Sequence, residues 1–255
     1  ALGVGLRLEP GDVAARINFC TVDNQGVVTD RRAGRIPTEV NSRLCNKLRD
    51  IALPGVSYEI VPESQYRAVV VFRGEGLSDK LSDTDPQHTG VPPLAVEPTE
   101  PAGARTATVV AQFVDRARDL LRDEHPANMI LMRGFATHPE IPSIESVRKL
   151  RCAAIAAYPM YRGLAKIVGM AVLGDPHSLL EEVGLLEAHW DAFDFFYVHD
   201  KPTDSAGEDG NIELKKKVIE EADAAIPRVL RLKPDVLVVT GDHSTPSQLR
   251  AHSWH

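Results

Sequence analysis

The sequence predicts an α/β protein with a parallel sheet in its C-terminal half. Two observations carry that expectation. An apolar run, Val236 to Val239, ends in Thr240-Gly241-Asp242-His243, and short apolar runs bounded by turn residues read as buried parallel strands. From Cys152 onward such runs alternate with segments of helical periodicity at short spacing, the pattern of βαβ units. Ligands in open α/β sheets gather at the carboxyl ends of strands, so Asp242 and His243 stand where a site is expected. A carboxylate beside an imidazole suits Zn or Mn. The alternative is a plain strand and turn, with Asp242 capping a helix at Ser244. His252 and His255 downstream favour the metal.

The chain has 255 residues, 43% hydrophobic and 25% charged, a globular composition for one large or two ordinary domains. A net charge of −7 argues against nucleic acid or an anionic membrane as main partner. It leaves room for an anionic small substrate held by local arginines. The three cysteines, Cys20, Cys45 and Cys152, are far apart without a CxxC pair, which points to a reducing, cytoplasmic compartment rather than a disulfide framework. No apolar run reaches membrane-spanning length and no signal peptide is visible. A start at Ala1 and an abrupt stop at His255 suggest part of a longer protein.

In chain order, Ala15 to Val22 reads as a strand, Asp23 to Gly26 as a turn, and Val27-Val28 as a segment pairing back. Arg31, Arg32 and Arg35 surround Gly34, either an anion grip through forked hydrogen bonds or a solvated basic turn. Val40, Leu44, Leu48 and Ile51 predict a helix from Pro37 to about Ile51. Strands follow at Val56 to Val61 and Tyr66 to Phe72, the second ending at Arg73. Residues 75–103, rich in Asp, Pro, Gly and Thr, form a long loop. Its Asp83-to-His88 stretch suggests a metal, a lid over substrate, or simply a polar excursion. Thr106 to Leu121 is an amphipathic helix with Val109, Val110, Phe113, Ala117, Leu120 and Leu121 inside. Asn128 to Met132 is a strand whose carboxyl end presents Arg133 to an anionic ligand.

Further on, Cys152 to Ala157 is a buried strand, Tyr161 to Val168 and Leu179 to Leu186 are helices, and Phe193 to Val198 is a strand delivering Asp204 and Glu208 to a loop. Asn211 caps a long helix with Ile212, Val218, Ile219, Ala222, Ile226 and Val229 inside, ended by Pro234. Asp204, Glu208, Asp242 and His243 thus lie after two successive strands, and His252 folds back toward them. Convergence of five donors points to metal.

The segments DRRAGRIPTEVN, FRGEGLSDKLSDTDPQHTG, NMILMRG, AAYPMYRGLAKIVGM, KPTDSAGEDGN and KPDVLVVTGDHSTPSQLRAHSWH resemble the alkaline phosphatase superfamily. Within it they are similar to the archaeal-type, cofactor-independent phosphoglycerate mutases. The resemblance covers nearly the whole chain. It implies a partial alkaline-phosphatase-like parallel-sheet domain with an inserted α/β substrate-binding domain. Residues 1–150 would be mostly the insertion and 151–255 the returning part of the catalytic domain.

It further implies two divalent ions (Mn, Mg, Zn or Co) and no 2,3-bisphosphoglycerate. Asp242 and His243 resemble ligands of one ion, and Asp204 and His252 ligands of the other. Glu208 stands where the superfamily has a histidine, which implies a preference for harder ions. Arg133, with Arg162, Arg73 and His88 as weaker candidates, would hold a small-molecule phosphoglycerate. The implied reaction moves a phosphoryl group between the 2- and 3-oxygens of glycerate through a phosphoserine. The family's serine nucleophile and an earlier aspartate ligand precede the insertion, and no segment here matches them; Ser205 and Ser244 do not. These residues alone are therefore expected not to catalyse the reaction. Another phosphatase or phosphotransferase of the superfamily, and a non-catalytic binding module, are the alternatives. Oligomeric state is left open.

Overall fold

The computed structural model describes residues 1–254. The chain divides into two compact units, Ala1–Glu140 and the remainder from Ile141 onward.

The first unit contains β1 (Val13–Val22), β2 (Val28–Asp30), α1 (Thr38–Leu48), β3 (Ser57–Ser64), β4 (Arg67–Arg73), α2 (Ala104–Leu121) and β5 (Met129–Ala136). β1 is the middle of the sheet. It pairs antiparallel with β2 at its end, with β4 along one side and with β5 along the other, and β3 pairs with β4. Almost every β1 residue is buried, as a strand flanked on both edges and covered by helices requires. Ile17, Phe19, Val70 and Phe72 of the sheet meet Leu44 and Leu48 of α1 and Val110, Phe113 and Leu121 of α2 in one core. Tyr58, Phe72 and Phe113 pack with ring centroids 5.2–6.0 Å apart, two of the contacts edge-on, a favourable aromatic geometry. The Tyr58 hydroxyl donates to the carbonyls of Leu48 (2.6 Å) and Ile51 (3.0 Å). It satisfies acceptors that the end of α1 leaves open, and the helix stops at Leu48, short of the expected Ile51.

The 74–100 loop is pinned to β5. Thr84 N–H donates to the Met132 carbonyl and Met132 N–H to Thr84 Oγ1, while Asp83 accepts from Gly134 N–H at 2.8 Å. β5 runs on through Arg133 to Ala136. Arg133 therefore lies inside an antiparallel strand, opposite Arg16, and not at a strand's carboxyl end. Gly134, at φ 66°, sits beside a register shift between Ala14 and Arg16, an irregularity of the bulge kind that lets pairing resume beyond the glycine.

The second unit contains α3 (Ile144–Arg148), β6 (Cys152–Ala156), α4 (Pro159–Ile167), β7 (Ala171–Val172), α5 (Leu179–His189), β8 (Phe195–His199), α6 (Pro202–Glu208) and α7 (Ile212–Arg231). α3 goes with this unit, its Ile144 N–H bonded to the Val168 carbonyl. The sheet is parallel, in the order β7-β6-β8, so the parallel α/β expectation holds. β6, Cys-Ala-Ala-Ile-Ala, is buried throughout.

Two expectations fail here. Val236 to Val239 forms no strand, and these residues are 77, 41, 72 and 77% exposed. Apolar β-branched residues favour a strand only where a neighbouring backbone completes the ladder, and no described strand pairs with this run. In α7, Ile212 and Ile219 are exposed; Val218 and Ala225 form its buried line. No helix among the described residues is long and apolar enough to cross a membrane.

Candidate metal centre

The α6 helix begins with Pro202 in its first turn, where a missing N–H costs nothing. Asp204 and Glu208, four residues apart, therefore share one helical face rather than lying in a loop. His243 and Thr245 lie directly against that helix. A Cβ on Gly207 would fall 2.1 Å from the Thr245 carbonyl oxygen, so only glycine permits this approach. Ser244 and Ser253 then exchange backbone hydrogen bonds of 3.0 and 2.8 Å, and this closure returns His252 to the same place.

The result is a cluster. Asp204, His243 and His252 each offer a donor atom within 4.8 Å of the others. His252 Nε2 stands 3.5 Å from Asp204 Oδ1 and 3.3 Å from Glu208 Oε1. His243 Nε2 stands 3.6 Å from Asp242 Oδ2, and the two imidazoles stack at 3.9 Å. The structure thus brings together Asp204, Glu208, Asp242, His243 and His252. His255 lies outside the described residues.

Burial pushes the Asp204 carboxyl up, but hydrogen bonds from Lys201 and Thr245 outweigh it and hold the group below its ordinary value. For Asp242 burial again raises, and its own backbone N–H, His243 and Tyr161 lower it further than that. Both are anions at neutral pH, the form in which carboxylates ligate cations. The Tyr161 hydroxyl lies 3.3 Å from Asp242 Oδ2, and its ring stacks on His199 at 3.5 Å.

The other predicted residues are placed differently. Arg162, on α4, donates to the Ala156 carbonyl (3.1 Å) and faces Asp175 (3.5 Å). In the first unit Arg133 is 3.6 Å from Asp85. Arg73 lies between Asp12 and Glu59, both at 3.3 Å, and donates to the Arg7 carbonyl. His88 is exposed, its Nδ1 3.2 Å from the Thr89 carbonyl. Of the three arginines around Gly34, Arg31 is committed to Asp85 through two bonds of 3.0 and 2.7 Å. A mostly apolar cavity of about 460 Å³ in this unit, lined by Val22, Leu94, Val96, Val114 and Met129, contains none of the predicted residues.

Sequence reasoning missed Thr245, Tyr161 and Lys201. Lys201 had a usable signal, three residues before Asp204 at helical spacing. The other two sit inside motif segments, with nothing in the pattern to mark them.

A parallel α/β unit carrying a carboxylate–imidazole cluster is the architecture of a metalloenzyme, and the metalloenzyme superfamily model matches residues 72–255. The model for 2,3-bisphosphoglycerate-independent phosphoglycerate mutase matches residues 1–128, and the chain belongs to that family. Over its whole length it is 49% identical to a protein of Thermus thermophilus and 46% identical to one of Thermotoga maritima, each described as a probable 2,3-bisphosphoglycerate-independent phosphoglycerate mutase. It spans 64% of the length of each. A cofactor-independent phosphoglycerate mutase of Thermoplasma acidophilum shares 31% identity at TM-score 0.64, over 90% of this chain and 64% of that one. A Pyrococcus horikoshii protein of known structure shares 25% identity at TM-score 0.76, over 99% and 64%.

Proposed function

We propose that the protein carrying this chain interconverts 2- and 3-phosphoglycerate without 2,3-bisphosphoglycerate, using two divalent ions. The observation that carries the reading is the convergence of Asp204, Glu208, Asp242, His243 and His252 from a helix and a closed loop. An oxygen and nitrogen donor set without thiolate suits Mn, Mg, Zn or Co. Asp204, Glu208 and His252 would hold one ion, and Asp242 and His243 the other. When bound, such ions neutralise charge on the oxygens of a transferring phosphoryl group.

The remaining work falls to the protein. The first unit acts as the substrate-binding domain and the second as the metal-binding part of the catalytic domain. Arg133, Arg162, Arg73 and His88 are the candidates for holding phosphate and carboxylate, by charge and forked hydrogen bonds. Keeping the glycerate in place while it reorients protects the phosphoryl group from water. The phosphoserine route follows from the family resemblance, and its serine is expected in the part of the relatives' length that this chain does not span. A cytoplasmic site of action goes with this reading, supported by three free, buried cysteines.

The test is elemental analysis of purified protein, with the conversion of 3- to 2-phosphoglycerate measured in Mn and without 2,3-bisphosphoglycerate. Asp242→Ala and His243→Ala should each lower ion occupancy and rate at least about 10- to 100-fold, the usual cost of losing even an indirect partner. Wild-type metal content and rate in both variants would overturn the reading. Phosphate release in place of mutase activity would favour another phosphotransferase of the superfamily.

A further inference from the structure

Thr245 is 4% exposed and offers no anionic or imidazole donor to a cation, yet its hydroxyl touches both halves of the cluster. Oγ1 lies 2.5 Å from Asp204 Oδ1 and 3.2 Å from His243 Nδ1. A hydroxyl has one proton to give, and the Asp204 anion can only accept it. His243 Nδ1 also faces the Ser244 carbonyl at 3.3 Å, another pure acceptor. Its partners therefore assign the ring hydrogen to Nδ1, which leaves the lone pair on Nε2, the atom beside Asp242 Oδ2. A directed chain results: His243 Nδ1–H to Thr245 Oγ1, and Thr245 Oγ1–H to Asp204 Oδ1. The Thr245 backbone is fixed independently. Its carbonyl accepts from Lys215 Nζ at 2.7 Å and lies against Gly207.

We propose that Thr245 is a positioning residue that couples the two ion positions, orienting His243 for one and Asp204 for the other through a single hydroxyl. The proposal rests on the two-ion reading above. Hydrogen bonds in series polarise one another. A cation drawing on His243 Nε2 makes Nδ1–H a stronger donor to Thr245, which strengthens the bond from Thr245 to Asp204. The state of one position is thus felt at the other through this hydroxyl, and the two ions bind as a coupled pair.

Mn binding to metal-stripped protein, followed by titration calorimetry, tests this. Thr245→Val keeps the shape and removes the hydroxyl. It should weaken both ions by about 10- to 100-fold and reduce the coupling between them. Thr245→Ser should restore both, and circular dichroism of the metal-free variants should show each one folded. Should the valine variant not fold, Thr245→Ala, which puts no methyl in the place of the hydroxyl, carries the same expectation. Wild-type affinities in the valine or alanine variant overturn the proposal, and so does a serine variant as weak as valine. Asp242→Ala is measured alongside. If it keeps both ions the two-ion reading itself fails, whereas if it loses one while Thr245→Val loses nothing, only the coupling fails.

Discussion

Replacing Asp85 by alanine should destabilise the first unit by about 3 kcal/mol, and the figure follows from who is left behind. The Asp85 side chain has no exposure, while Arg31, which grips it with two hydrogen bonds, is 27% exposed. Gln87 N–H adds a third bond at 2.9 Å, and Arg133 adds charge at 3.6 Å. Removing one member of a buried ion pair costs about 3–5 kcal/mol. The surviving arginines reach water, which sets the lower end. At about 2–4 °C per kcal/mol for a chain of this size, Tm should fall by about 6–12 °C, read by circular dichroism. Arg31→Met should cost at least as much, because it strands the more deeply buried partner. Burial raises the Asp85 carboxyl, but the bonds from Arg31 and Gln87 hold it below its ordinary value. Its contribution is therefore complete above about pH 4 and is lost as pH falls through the lower, folded value. A loss under about 1 kcal/mol in both variants at pH 7 would refute this account of the loop's attachment.

Gly207→Ala should lose about 1–3 kcal/mol, since a Cβ 2.1 Å from backbone is overpacking that a helix-propensity gain of about 0.5–1 kcal/mol does not offset. Its Mn affinity should fall as well, and wild-type stability and binding together would show that the segment shifts freely. Burial and the nearby Asp200 raise the Glu182 carboxyl to about 7. The folded state then binds more protons than the unfolded between about pH 4.5 and 7, and stability falls as pH rises through that window. Glu182→Gln should remove this slope and gain up to about 3 kcal/mol at pH 8, at about 1.4 kcal/mol per unit. Urea titrations at pH 5 and 8 decide it, and an unchanged slope would be the contrary result.

Much of the architecture was legible where one segment's pattern suffices. The α2 stripe of Val109, Val110, Phe113, Ala117 and Leu121 is buried as its periodicity required, and β6 and β8 are parallel neighbours. What depends on a distant partner was not legible. Val236 to Val239 has the composition of a strand and no ladder, while Arg133 belongs to a strand extended by pairing with β1 across more than a hundred residues. Asp242 and His243 were singled out by a strand-end argument although the strand does not form. Asp204 and Glu208 both reach His252 because a spacing of four aligns them on α6. Thr245 became visible only once the Ser244–Ser253 closure and the absent Cβ of Gly207 had placed its hydroxyl.

The exposed Val236-to-Val239 run also bears on how copies of this chain are expected to associate. It is apolar, mostly β-branched and free of proline, with its side chains exposed, the makings of a self-templating edge. Lys233, Pro234 and Asp235 stand directly before it as gatekeepers that discourage such pairing. On the other side Thr240 and Gly241 offer none until Asp242. The guard is therefore one-sided, and salts such as sulfate, which strengthen apolar burial, are expected to push concentrated solutions toward association through this strip.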